Sequence, residues 1–225
     1  MGGGPKGANF SAWPTDALLA AAAEIFQQVG YEKATTAEIS KRANVAEGTL
    51  FLHFKSKLGL MHAMMISFYR ELYEEGLALS KANATSIECF HNMLEHYLSK
   101  LESNWQTIKI FGYHGRVGDA DSMGIFHDLN KHYTDLYLTL LMAMQKEGLL
   151  KTEITPHTVR DTLFGSIEHF AISHFVNDRK ADSSEFLKKL LALVFEGALT
   201  EKSQQEAVLT KINHKLDRLL ARQEG

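Results

Sequence analysis

The chain has 225 residues, 45% apolar and 23% charged, enough for one large core or two domains of ordinary globular balance. Its net charge of −3 excludes a uniformly basic surface, so any nucleic-acid affinity must come from local placement. A single cysteine, Cys89, excludes an intrachain disulfide and fits a reducing, cytoplasmic setting.

Residues 1–12 are Gly-rich and read as a flexible arm. Pro14 suits a first helical position, and the first helix runs to about Val29 with Leu18, Ala22, Ile25 and Phe26 as its inward stripe, ended by Gly30. Residues 35–57, TTAEISKRANVAEGTLFLHFKSK, read as two short helices joined by a tight turn. Thr35 or Thr36 caps the first of these, Asn44 supplies a left-handed turn residue, and Leu50 and Phe54 share the inward face of the second. A fourth helix starts near Ser56 and carries Leu60, Met64, Phe68 and Leu72 at spacings of four. Helices follow over about 86–101 and 105–111. The stretch 112–121, with glycines at 112, 115 and 118, reads as a loop. Long helices are expected over 122–147 and from Pro156 to about Val176, and a last one is capped at Asp182. Leu209, Ile212, Leu216 and Leu219 recur at spacings of three, four and three. That pattern suits a short coiled-coil seam or a terminal helix on its own subunit. The expected class is all-α. It is divided into the arm, a three-helix domain at 13–58, a helical bundle at 59–201 and a C-terminal helical extension at 202–225.

A short helix held at a steep angle by such a turn is the shape that enters the DNA major groove. The run AAAEIFQQVGYEKATTAEISKRANVAEGTLFLHFKSKLGL resembles the N-terminal domain of the tetracycline-repressor (TetR) family, through Ala22, Phe26, Gly30, Tyr31, Thr35, Ile39, Val45, Gly48, Thr49, His53, Phe54, Lys57 and neighbours. The resemblance implies a ligand-responsive transcriptional regulator. It would be a repressor that binds a palindromic operator as a homodimer and leaves it when a small hydrophobic effector binds.

By position, the resemblance places Thr36, Glu47, Gly48, Thr49, Phe51, Leu52, His53 and Lys57 at the DNA. Thr36 would hold a phosphate and Gly48 would permit close approach. Thr49 and Leu52 would meet base edges or thymine methyls, and Phe51, His53 and Lys57 would grip the backbone. Three departures stand out. Phe51 replaces the usual Tyr. Ala46 and Glu47 stand where Ser and a neutral or basic residue are common. Gly59 stands where a Glu would complete a capping box. Glu47 repels phosphate but can accept from a cytosine amine.

The bundle would hold the effector between its helices, with Phe90, Tyr97, Trp105, Phe111, Arg116, Tyr137, Phe164 and Glu168 as candidate contacts. For each ring alone, plain core is the alternative. The segment TLFGSIEHFAISHFVNDRKAD is similar to repressors of fatty-acid degradation that respond to long-chain acyl-CoA, with Arg116 placed to meet a CoA phosphate. A drug-like or aromatic compound is the other effector class. Ile167, Phe170, Phe175, Leu187, Leu191 and Val194 are the candidate dimer contacts, with the protomer core as the competing assignment.

No cofactor, metal or catalytic group is expected. The histidine pairs His91/His96, His127/His132 and His169/His174 are five apart and face different ways on a helix. No nucleophile elbow or phosphate loop appears. A helical enzyme or a protein-interaction bundle are the alternatives. The longest apolar run, Ala17 to Ala23, is too short for a bilayer, so no membrane partner is expected.

Overall fold

The computed structural model describes residues 15–82, 85–175 and 182–198. The N-terminal arm, Val176 to Asp178 of the quoted segment, and the C-terminal seam from Leu209 to Leu219 lie outside the described residues. Nine helices occur among those described: α1 (Thr15–Val29), α2 (Thr36–Arg42), α3 (Glu47–Phe54), α4 (Lys57–Ser80), α5 (Ser86–Ser103), α6 (Trp105–Val117), α7 (Ala120–Lys146), α8 (Pro156–Phe175) and α9 (Ser183–Ala198). The class is all-α. No helix among the described residues is long and apolar enough to cross a membrane.

Of the described residues, 15–71 together with 104–130 form one compact unit; 72–82, 85–103, 131–175 and 182–198 form a second. The first unit is built on a core of Leu18, Ala22, Phe26, Ile39, Leu50, Phe54, Leu60, Met61 and Met65. Leu18, Ile39, Leu50, Leu60, Met61 and Met65 are fully excluded from water, each stabilising the fold by about 1.5–3 kcal/mol through burial. Ile110 and Phe111 of α6 complete this core, and the Phe111 ring packs against Phe68 of α4.

The expected loop at 112–121 is instead mostly helix. α6 continues to Val117, and Gly118 caps it. The reason is tertiary: Gly115 is buried, and a Cβ there would lie 2.3 Å from the Phe126 ring. The glycine marks a close crossing of α6 and α7, not a turn.

Elsewhere the chemistry of the termini sets the elements. Thr155 accepts from the Thr158 N–H at the start of α8, and Asp182 accepts from the Glu185 N–H at the start of α9. The second unit packs Phe90, Tyr97, Tyr133, Tyr137 and Phe164 ring to ring, with centroid separations from 4.9 to 6.4 Å. Tyr133 and Tyr137 join hydroxyls at 2.7 Å, and the Tyr137 hydroxyl donates to the Met93 carbonyl at 2.8 Å. These buried polar groups are thereby satisfied.

Candidate nucleic-acid interface

Local chemistry dictates the α2–turn–α3 segment almost residue by residue. Thr35 is the cap of α2. Its hydroxyl accepts from the Glu38 N–H at 3.2 Å, and the Glu38 carboxylate accepts from the Thr35 N–H at 3.0 Å, a reciprocal box. The Thr35 hydroxyl, which donates to the Glu38 carboxylate at 2.8 Å, and then the Thr35 N–H hold that carboxyl below the usual glutamate range. Asn44 turns the chain at φ +56°, the left-handed region that Asn tolerates. Val45 then packs against the domain core.

α3 buries only Leu50 and Phe54. The rest of this eight-residue helix is turned outward: Glu47, Gly48, Phe51, Leu52 and His53 are exposed and Thr49 is half-buried. Leu52 is 68% exposed and Phe51 44%. Two large apolar side chains on so short an exposed helix contribute little to the fold and suit a partner surface. A Cβ at Gly48 would meet nothing within 4 Å, so no internal packing demands glycine there. Ala46 makes no side-chain cap, which leaves the first amides of α3 without that partner.

Thr36, half-buried at the start of α2, donates its hydroxyl to the Glu47 carboxylate at 2.6 Å. Two residues assigned separately to DNA are therefore clasped to each other. Arg42 is paired with Glu24 of α1.

Lys57, expected at the DNA backbone, is bonded within its own domain. Its ammonium donates to the carbonyls of Tyr31 at 2.8 Å, Ala34 at 3.0 Å and Glu32 at 3.2 Å, and lies 4.5 Å from the centre of the Tyr31 ring. All three of its donors are engaged within the domain.

The connection from α3 to α4 went unforeseen in the sequence. Lys55 sits at φ +67° and the Ser56 N–H donates back to the Phe54 carbonyl at 2.8 Å, a tight and strained three-residue turn. Gly59 explains itself here: a Cβ on it would lie 2.0 Å from the Phe54 carbonyl oxygen. The departure that removes a capping-box glutamate makes room for this turn, and the Ser56 hydroxyl still accepts from the Gly59 N–H. Only Gly59 was visible in the sequence; the positive φ of Lys55 is not announced by its residue type.

The effector candidates do not assemble as one set. Phe90, Tyr97, Tyr137 and Phe164 come together, but as mutually packed rings. Trp105, Phe111 and Arg116 belong to the first unit, because α6 folds with it, and Phe111 is part of its core. Arg116 is on the last turn of α6, not in a loop. Glu168 is half-buried on α8.

Among the dimer candidates, Ile167, Phe170, Leu187 and Leu191 are buried within the protomer. Ile167, Leu187 and Leu191 face their own unit, whereas Phe170, although largely covered, lines the groove between α8 and α9. Val194 is half-buried, and the Phe175 side chain lies outside what is described. The outward side of α8 and α9 carries an open groove lined by Gly165, His169, Phe170, Phe186, Lys189 and Leu193, among others. Phe170 and Phe186 stack there at 3.9 Å, and Ile172 and Leu193 are exposed at 48% and 76%.

Residues 18–64 match the profile described as "Bacterial regulatory proteins, tetR family". The fatty acid metabolism regulator protein of Bacillus subtilis (strain 168) is 23% identical over 184 residues, spanning 80% of this chain and 93% of its own. Among solved structures, the fatty acid degradation regulator FadR from Bacillus halodurans superposes with a TM-score of 0.76 at 19% identity, covering 84% of this chain and 98% of that one. FadR from Bacillus subtilis in complex with stearoyl-CoA gives 0.73 at 22% identity, covering 81% and 98%. Over residues 18–64, from α1 into the start of α4, the chain therefore matches the tetR family of bacterial regulatory proteins, and its described fold is similar to that of the two FadR structures.

Proposed function

We propose that the protein is a transcriptional regulator that binds a palindromic DNA operator as a homodimer and releases it when a hydrophobic effector, a long-chain acyl-CoA, binds the second unit. The observation that carries the DNA-binding part is α3. It is anchored by two buried residues, presents Gly48, Thr49, Phe51, Leu52 and His53 outward, and follows a left-handed Asn44. Leu50 and Phe54 anchor the helix on one side and leave its other side free for the major groove. Thr49 and Leu52 are then the base-edge contacts. Phe51 supplies apolar contact with sugars or thymine methyls, and the first amides of α3 meet a phosphate.

Similarity to two FadR proteins, one of them solved with stearoyl-CoA, supports the acyl-CoA class over a drug-like compound. The relatives named are regulators, which favours a binding protein over a helical enzyme. The aromatic cluster in the second unit is already filled by its own rings, so an acyl chain entering it has to displace them. The outward groove of α8 and α9, with Leu193 exposed in its lining, is the candidate dimer face.

A gel-shift titration on the DNA upstream of the chain's own gene tests the reading. A retarded band at nanomolar protein that stearoyl-CoA abolishes and free stearate does not is the expected result. Retardation insensitive to stearoyl-CoA would remove the effector class. Absence of retardation on that DNA and on sequences selected from a random pool would remove the regulator reading.

A further inference from the structure

The geometry points to Lys57 as a positioning residue that fixes the α1–α2 connection to the start of α4, and not as a contact to DNA. The proposal rests on the regulator reading above. Three observations carry it. First, an ammonium has three N–H donors, and here all three end on backbone carbonyls, those of Tyr31, Glu32 and Ala34. A phosphate contact requires one of these to be broken. Second, the Tyr31 ring lies beneath the ammonium, 4.5 Å from it, and is itself held edge-on by Phe26 and by His114 of α6. The charge is therefore seated among α1, α4 and α6 of the same unit. Third, the carbonyls lie 23 to 26 residues before Lys57 in the chain. They immediately precede Thr35, the cap of α2. Lys57 is the first residue of α4, just past the strained turn at Lys55.

The contact thus closes a loop around the whole α2–α3 pair. The residues that lead into α2 are held to the first residue of α4, which follows α3 across Lys55 and Ser56. Movement of the start of α4 would be felt at the cap of α2 through this single side chain.

Two measurements test the assignment. In the free wild-type protein, the Lys57 ammonium is expected to give a proton–nitrogen NMR cross-peak at neutral pH. Three carbonyl acceptors shield it from exchange, whereas solvated lysines exchange too fast to be seen. The peak should persist unshifted when a duplex selected from random DNA is added. The second measurement follows the affinity of Lys57→Met and Lys57→Arg for that duplex across salt concentrations. Both variants are expected to bind at least tenfold more weakly, because neither a methyl thioether nor a planar guanidinium satisfies three converging carbonyls. The slope of log K against log salt should stay at the wild-type value, and the amides of residues 34–39 should exchange faster.

A phosphate contact predicts the opposite. The slope would be shallower by ~0.9 in Lys57→Met and restored in Lys57→Arg, because Arg grips phosphate well. That pattern, or a Lys57 peak that is absent in free protein or displaced on adding DNA, overturns the positioning role. A wild-type protein that binds no duplex overturns the regulator reading instead. The free-protein spectrum still reports on the three-carbonyl seat in that event.

Discussion

The hydroxyl of Thr36, at the head of α2, donates at 2.6 Å to the carboxylate of Glu47, at the head of α3. The contact braces the two helices against each other. It also places one full negative charge where a phosphate or a base edge would approach. Replacing Glu47 with Gln retains an acceptor for Thr36 and removes the charge. Affinity of Glu47→Gln for random-sequence duplex at moderate salt is expected to rise roughly three- to tenfold. If Glu47 accepts from a cytosine amine in the operator, affinity for the selected operator rises less or falls, and the ratio between the two DNAs narrows. Fluorescence anisotropy on both duplexes measures it.

Two glycines on α6 look alike in the sequence and differ in the fold. A Cβ at Gly115 would lie 2.3 Å from Phe126, and one at Gly112 would meet nothing within 4 Å. Gly115→Ala is therefore expected to destabilise by about 1–3 kcal/mol through overpacking. Gly112→Ala is expected to stabilise by roughly 0.5–1 kcal/mol, the helix-propensity difference. Urea denaturation of the two variants should move the midpoint in opposite directions.

On α9, Leu187 and Leu193 separate folding from association. Leu187 is 1% exposed and Leu193 76%. Leu187→Ala should cost about 2–5 kcal/mol as a cavity in the protomer core. Leu193→Glu should leave protomer stability within about 0.5 kcal/mol. If the outward groove is the dimer face, that same variant should sediment as a monomer at concentrations where the parent protein is dimeric.

Burial pushes the Tyr137 hydroxyl well above its ordinary value of 10.0, with the neighbouring Tyr133 and Tyr97 adding to the shift. The folded state thus favours the neutral phenol. The linked stability is fully present below pH 10, declines as the unfolded chain begins to ionise there, and is lost as pH rises further. Alkaline unfolding should begin above about pH 10. Tyr137→Phe should remove the late-titrating phenol from the ultraviolet difference spectrum. It should also cost about 1 kcal/mol at neutral pH, through loss of the bond to the Met93 carbonyl.

The elements near the front of the chain were legible from sequence because their causes are local. The Thr35–Glu38 box, the left-handed Asn44 and the spacing of Leu50 and Phe54 each act within a turn or two, so residue type and order suffice to place α2, α3 and the outward face between them. What Lys57, Gly59, Phe111 and Gly115 do depends on chain segments that meet across the fold. A lysine read as a surface cation finds three carbonyls more than twenty residues away, and a glycine read as a loop residue finds the Phe126 ring. The same holds for Ile167, Leu187 and Leu191. Periodicity marks them as apolar but not as facing their own unit or a second copy, because burial against either satisfies the same hydrophobic pattern. Backbone hydrogen bonding and capping are short-range and written in order along the chain; the choice of packing partner is long-range and appears only when the helices have closed on one another.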